Sequence, residues 1–162
     1  RDEQQNFIYL NDGKLNFSER IPFGTGKDNT RSVAVADVNN DGILDIVTAN
    51  IGEANRIYFG DLGMKFIKSI EFDTSIVNSY AVTLSDLDSD GKMDIVIGNS
   101  GEANTVFVNQ GDGTKWKRIQ LNKEKFNTYD IITSDLNGDG RPDIIESNSD
   151  ELNYYYFNSV IR

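Results

Sequence analysis

A nine-residue acidic loop occurs three times in this chain at one fixed spacing. That period constrains the fold more than any other feature. The copies run from Asp37 to Asp45, from Asp86 to Asp94 and from Asp135 to Asp143, with starts 49 residues apart. Each reads D-x-[ND]-x-D-G-x-x-D and leads into an apolar pair: Ile46-Val47, Ile95-Val96 and Ile144-Ile145. A period of this length marks a repeat array, in which each unit buries its apolar faces against its neighbours.

Setting the loops in register aligns the rest of the chain. Ile8-Tyr9-Leu10-Asn11 falls on Ile57-Tyr58-Phe59-Gly60, Val106-Phe107-Val108-Asn109 and Tyr155-Tyr156-Phe157-Asn158. The segment from Asn50 to Asn55 falls on Asn99 to Asn104 and, more loosely, on Asn148 to Asn153. Val33 and Val35, like Val82 and Leu84, alternate with small residues ahead of a loop, as half-buried strands do. No stretch shows a 3.6-residue apolar period. One repeat is therefore about four antiparallel strands, which is the content of a β-propeller blade. A parallel β-helix has a shorter coil period.

The expected fold is all-β, with about three such blades in a single repeat domain over 1–162. Its repeats span about 8–56, 57–105 and 106–154, with a closing strand at 155–158. The phase predicts two outer strands first, whole blades at about 31–72 and 80–121, then three strands of another blade. A propeller needs at least about four blades to close. Further blades are therefore expected, from the same parent chain or from a second copy. Tyr9, Tyr58, Phe107 and Tyr156 share one repeat position and read as inter-blade core.

Composition removes several function classes. The chain has no Cys and no His. Thiolate chemistry, disulfides and the commonest general base and zinc ligand are absent. The net charge of -10 disfavours nucleic acid. Ten of the carboxylates lie in the three loops, so the acidity is local. No run approaches the ~20 apolar residues of a membrane span. No charged-then-apolar leader is visible at the start, as is also true of a mature or excised fragment.

The loops have the chemistry of a calcium cage. Calcium takes six to eight oxygen ligands, and alternate residues of a tight loop can converge on one centre. Positions one, three and five supply Asp37, Asn39 and Asp41; Asp86, Asp88 and Asp90; Asp135, Asn137 and Asp139. Position seven offers its backbone carbonyl (Ile43, Lys92, Arg141), which leaves its side chain free to vary. Position nine closes the cage with Asp45, Asp94 or Asp143. The Gly at position six permits a left-handed turn. Two carboxylates ~4 Å apart repel by about 4 kcal/mol at an effective dielectric near 20, so a cation is needed among them. Magnesium prefers fewer protein oxygens, and zinc prefers nitrogen and sulfur. Three Ca2+ sites are expected. The third copy also satisfies the EF-hand pattern through Glu146, but the other copies carry Thr48 and Ile97 there and the flanks read as strands. The match is read as coincidence.

The loop, the Ile/Val pair, the Asn/Gly turn and the aromatic strand ending in Asn resemble the FG-GAP/VCBS repeat of integrin α-subunits and many secreted bacterial proteins. The resemblance covers roughly 7–158. Phe23-Gly24-Thr25-Gly26 fits the name-giving element, whereas Phe72-Asp73 and Leu121-Asn122 depart from it. The resemblance implies calcium between the first two strands of each blade and an extracellular or cell-surface setting, with the periplasm as a variant. It also implies a ligand face opposite the calcium loops, where Arg31, Tyr80 and Tyr129 share one repeat position and can form a contact ring.

The function expected is a non-catalytic recognition or adhesion module for a glycan or protein ligand. The alternatives are a domain of a secreted polysaccharide-degrading enzyme and a structural subunit of an extracellular assembly. A unique acidic pair in a cleft would favour catalysis, and a repeated surface pattern would favour binding.

Overall fold

The computed structural model describes residues 3–159, which form thirteen strands. Strands β1 (Gln4–Leu10) and β2 (Glu19–Asp28) form a hairpin. The first complete blade is β3 (Thr30–Ala36), β4 (Asp45–Glu53), β5 (Arg56–Phe59) and β6 (Lys68–Glu71), each antiparallel to the next. The second is β7 (Val77–Ser85), β8 (Asp94–Asn99), β9 (Thr105–Asn109) and β10 (Trp116–Gln120). Strands β11 (Thr128–Ser134), β12 (Asp143–Asn148) and β13 (Tyr154–Tyr156) start a third. The fold is thus all-β and fits part of a propeller, in the phase that the repeat predicts. No described helix is long and apolar enough to cross a membrane.

Alternation along the strands explains how the blades stack. Val47 and Ile95 point into the same core, which also holds Ala49, Ile57, Val82, Ile97 and Phe107. One repeat later, Val96 and Ile144 meet with Ala81, Val106 and Ile131. The second blade therefore buries both faces, and its strand after the loop reads as an apolar run, Ile95-Val96-Ile97. At the outer rim one anchor recurs. Phe23 meets Tyr58 edge-on at 5.6 Å, Phe72 meets Phe107 at 5.2 Å, and Leu121 packs in one cluster with Tyr156. The Phe of the Phe-Gly element is thus the wedge driven into the next blade.

Exposure separates the two ends from the middle. Tyr9 is 55% exposed, while its repeat equivalents Tyr58 and Phe107 are 3% and 2% exposed. Val33 is 52% exposed and Val82 only 7%. At the other end Ile132 and Tyr155 are open. The expectation of a core role therefore holds for Tyr58 and Phe107. Tyr9 lies on an outward face, because no blade stands against it.

The repeated asparagines are hydrogen-bonding hardware. Asn55 Oδ1 accepts the Asn50 amide N–H at 2.8 Å, and Asn55 Nδ2 donates to Ser79 Oγ of the next blade at 2.9 Å. Ser79 Oγ donates in turn to Asn99 Oδ1 at 2.9 Å. The pattern repeats through Asn104, Thr128 and Asn148, and begins with Asn6 donating to Thr30. A polar rail therefore stitches each blade to the next, with every buried amide paired. Glu146 joins it, buried in β12, where it accepts from Asn104 Nδ2 at 2.7 Å and Asn148 Nδ2 at 3.1 Å. It belongs to a strand and no helix flanks its loop, so the EF-hand reading fails.

Asn104→Ala should destabilise the chain by about 2–4 kcal/mol, since it orphans a buried carboxylate partner as well as the Asn99 amide. Asn153→Ala, at the exposed end of the rail, should cost under about 1 kcal/mol. Urea unfolding of the two variants measures the contrast.

Candidate metal centre

Each acidic loop joins the first two strands of a blade: β3 to β4, β7 to β8 and β11 to β12. Its bend depends on two left-handed residues. Position six is glycine in all copies, with φ of +84° at Gly42, Gly91 and Gly140. Position four is also left-handed, at Asn40 (+59°), Ser89 (+62°) and Gly138 (+77°). Only the first of these was evident from the sequence. Asn tolerates this region through its short polar side chain, whereas Ser89 bears a steric cost there.

The carboxylates organise the loop backbone. Asp37 Oδ1 accepts the N–H of Asp41 at 3.1 Å, and Asp37 Oδ2 that of Gly42 at 2.7 Å. Asn39 Oδ1 also accepts the Asp41 N–H, and Asp41 Oδ1 accepts that of Ile43. The second loop repeats this through Asp86, Asp88 and Asp90, and the third through Asp135, Asn137 and Asp139. These N–H groups hold Asp135 below the usual carboxylate range. The loops are bent by their own hydrogen bonds.

Position nine has a further role. Asp45, Asp94 and Asp143 are fully buried at the start of the second strand. Asp45 accepts the Val38 N–H on one oxygen at 3.0 Å and the Gly60 N–H on the other at 2.9 Å. Asp94 does the same with Leu87 and Asn109, and Asp143 with Leu136 and Asn158. Each carboxylate thus ties the base of its loop to the end of the third strand. Burial raises the pKa of Asp45 and Asp94, outweighing these N–H donors, and the loop aspartates at positions one and five (Asp45) or three and five (Asp94) push the same way.

The loops are also tied across blades. Asn109 Nδ2 donates to the carbonyl of Val38 in the preceding blade at 2.8 Å, and Asn158 Nδ2 donates to that of Leu87 at 2.6 Å. Bonds therefore run from Asp45 through Val38, Asn109, Asp94, Leu87 and Asn158 to Asp143. The aromatic strand's terminal Asn read as a motif marker; its role as a clamp needed the fold.

The structure adds a contact at position seven. The Lys92 ammonium pairs with Asp90, and Arg141 pairs with Asp139 while donating from Nε to the Asn158 carbonyl at 2.7 Å. These side chains vary in identity, but they are engaged with position five. The Lys92 contact lowers the pKa of Asp90.

The second loop brings Asp86, Asp88 and Asp94 together, with one carboxylate oxygen from each within 4.8 Å of the others. Oxygens that share one calcium ion at 2.3–2.6 Å lie no more than about 4.6–5.2 Å apart. The spacing and the all-oxygen donor set fit calcium. In the other loops Asn39 and Asn137 replace one of these carboxylates with a carbonyl oxygen.

The opposite ends of the inner strands carry the other predicted residues. The pairing register shifts between Thr30 and Ser32, between Ser79 and Ala81, and between Thr128 and Asp130. Arg31, Tyr80 and Tyr129 are the bulged residues, and a bulge re-aims its side chain. The Tyr80 and Tyr129 rings lie 4.8 Å apart, and both have surface exposed to some degree, as does Arg31. The repeated acids Glu53 and Glu151 accept from the Asn29 and Asn127 amides, and Glu102 pairs with Lys125.

Comparison with known families agrees with this architecture. The model of the FG-GAP-like repeat matches residues 1–48, 37–97 and 86–146. The chain belongs to the FG-GAP-like repeat family. Two of the matched units start at the first Asp of one loop and take in the next loop. No curated protein matches the chain.

Asn109→Ala should lower stability by about 1–3 kcal/mol, because the buried carbonyl of Val38 loses its donor. Exposed Gln110→Ala should stay within about 0.5 kcal/mol. Urea midpoints of the two variants give the comparison.

Proposed function

We propose that this chain is a calcium-stabilised, non-catalytic recognition module that works in an extracellular or cell-surface setting. The observation that carries the reading is the second loop, where three carboxylates already stand at the spacing of one ion's ligands. Its ligands would be Asp86, Asp88, Asp90, the Lys92 carbonyl and Asp94. The matching sets would be Asp37, Asn39, Asp41, the Ile43 carbonyl and Asp45, and Asp135, Asn137, Asp139, the Arg141 carbonyl and Asp143. The bound ion would supply charge neutralisation at the foot of each blade. Lys92 and Arg141 would then release position five or share it.

Recognition of a glycan or protein is assigned to the opposite face, where the Tyr80 and Tyr129 rings lie 4.8 Å apart and Arg31 holds the same repeat position. Aromatic rings with a polar tip suit such contacts. Repetition of the acids Glu53, Glu102 and Glu151, and the saturation of Glu146 by amides, favour scaffold roles over catalytic ones. The exposed apolar end faces match the kind of surface that neighbouring blades cover, so further blades, from the parent chain or from a second copy, are the expected partners there.

Thermal melting in calcium, magnesium and chelator tests the metal reading. Calcium at 100 times its Kd should add about 2.7 kcal/mol per site, and an unchanged melting temperature in chelator would sink the proposal. Asp88→Asn should weaken the tightest site about tenfold, since affinity follows ligand charge, and calorimetric titration reads it.

Proton counting gives a second test. Folding raises the pKa of Asp45 and Asp94 above 3.8, so the metal-free protein keeps protons there that the unfolded chain has lost. Stability from these groups is therefore greatest in acid and falls as pH rises through the raised values, and a cation reverses this by favouring the ionised form. Calcium added to weakly buffered protein should release protons just above pH 3.8, and the release should vanish well above the raised values.

A further inference from the structure

The outer-rim interfaces between blades repeat one design, yet among the described residues the one between the two complete blades is closed while the others leave clefts. Between the two complete blades, Ile70, Phe72 and Phe107 meet, and Trp116 closes the gap with its ring 6.1 Å from Phe72. Its indole N–H donates to the Gly113 carbonyl at 3.0 Å, which fixes the ring in place. One repeat earlier the same positions are Ile21, Phe23, Tyr58 and Ile67. Here Ile67, 85% exposed at the edge of the opening, does not fill the gap, and a cleft of about 510 Å³ remains.

The cleft differs from the dry interface in chemistry as well. Tyr58 replaces Phe107, and its buried hydroxyl has no hydrogen-bond partner among the described residues. At the third interface the equivalent Tyr156 hydroxyl accepts from Asn122 Nδ2 at 2.7 Å. The counterpart of Asn122 is Gly24, where a Cβ would lie 2.2 Å from Asp28 Oδ2. No side chain can reach Tyr58 from that position. Burial, with Asp28 next in effect, pushes the phenol up to about 12, so at neutral pH it keeps its proton and can donate. Lys65 lines the same cleft, and its ammonium makes no ion pair among the described residues. Phe23 and Tyr58 form a buried floor, Phe66 adds a partly buried wall, and Pro22, Thr25 and Lys65 form an exposed rim.

We propose that this cleft binds one acidic sugar residue, a pyranose ring bearing a carboxylate. The volume lies within the usual range for small-ligand sites. The apolar Pro22, Phe23 and Phe66 suit the C–H face of the ring. Tyr58 can donate to a ring hydroxyl, Thr25 Oγ1, which already donates to Asp28 Oδ1 at 2.7 Å, can accept from one, and Lys65 suits the carboxylate. Asp28 is buried and accepts from the Thr25 N–H and hydroxyl, so Lys65 on the rim is the charged group offered to the sugar carboxylate. The site deepens the recognition reading and rests on it for the choice of a carbohydrate, but it is separate from the Arg31, Tyr80 and Tyr129 face.

The test is calorimetric or NMR titration of the calcium-loaded chain with methyl β-glucuronide and with uncharged methyl β-glucoside. The glucuronide should bind with a Kd on the order of 1 mM, and the glucoside about tenfold more weakly. Ile67→Trp places in the cleft the residue that the second blade already accommodates, and should abolish binding. Ser69→Arg, copying Arg118, is a second plug should the first variant fold poorly. Tyr58→Phe, copying Phe107, should weaken binding about three- to tenfold. Lys65→Gln should erase the preference for the charged sugar. Unchanged affinity in a folded plugged variant, or no glucuronide binding by the folded parent chain, overturns the cleft. Tyr80→Ala with Tyr129→Ala should leave glucuronide binding intact. Loss of glycan-array binding in that double variant, with no binding at the cleft, would overturn this site and leave the wider recognition reading standing.

Discussion

The buried carboxylate at the ninth loop position is the interaction on which the rest of the architecture depends. Asp45, Asp94 and Asp143 each hold two backbone N–H groups, one at the base of the loop and one at the end of the third strand. Three strands of a blade are thereby fixed at a single point. Without those donors a fully buried carboxylate would be costly, and without the carboxylate two N–H groups per blade would be orphaned. The acid is thus a structural pin as well as a proposed calcium ligand.

Coupling between blades follows from the same chemistry. Asn109 and Asn158 present their backbone N–H to the pin of their own blade and their side-chain amide to the loop of the preceding blade. At the other end of the strands the Asn–Ser/Thr rail makes a second set of crossings. Apolar wedges such as Phe72 lie at the outer rim. Directional bonds at both ends of the blade set its orientation, and the hydrophobic contacts between them supply most of the driving force. A stack held this way tolerates variation at any single wedge, which is how one interface can carry Trp116 while another opens into a cleft.

Much of this was legible in the chain itself. The 49-residue register gave the strand content and the phase of the blades, and the Gly42, Gly91 and Gly140 bends follow from local conformational preference. The oxygen donors of the loops are visible because alternate positions of a tight bend converge whatever surrounds them. Arg31, Tyr80 and Tyr129 could be matched by position, but that they are bulged residues, with two rings in contact, depends on pairing register. The left-handed turns at Asn40 and Ser89 carried no clear signal, since neither residue demands that conformation. The ion pairs of Lys92 and Arg141 were missed because a position that supplies only a carbonyl imposes no rule on its side chain.

The amino-acid order by itself determined the period, the strand count per repeat, the all-oxygen loops and the phase of the blades, since these depend on residues close together along the chain. Tertiary structure decided which copies of a repeated position are covered. Tyr9, Tyr58, Phe107 and Tyr156 hold equivalent places, yet one faces outward, one keeps an unpaired hydroxyl beside a cleft, one is packed dry and one is hydrogen-bonded. That difference comes from Gly24 and Asn122 of the adjacent blade, which the fold brings next to these rings, and from Trp116 of Phe107's own blade, which closes on Phe72 of the preceding one.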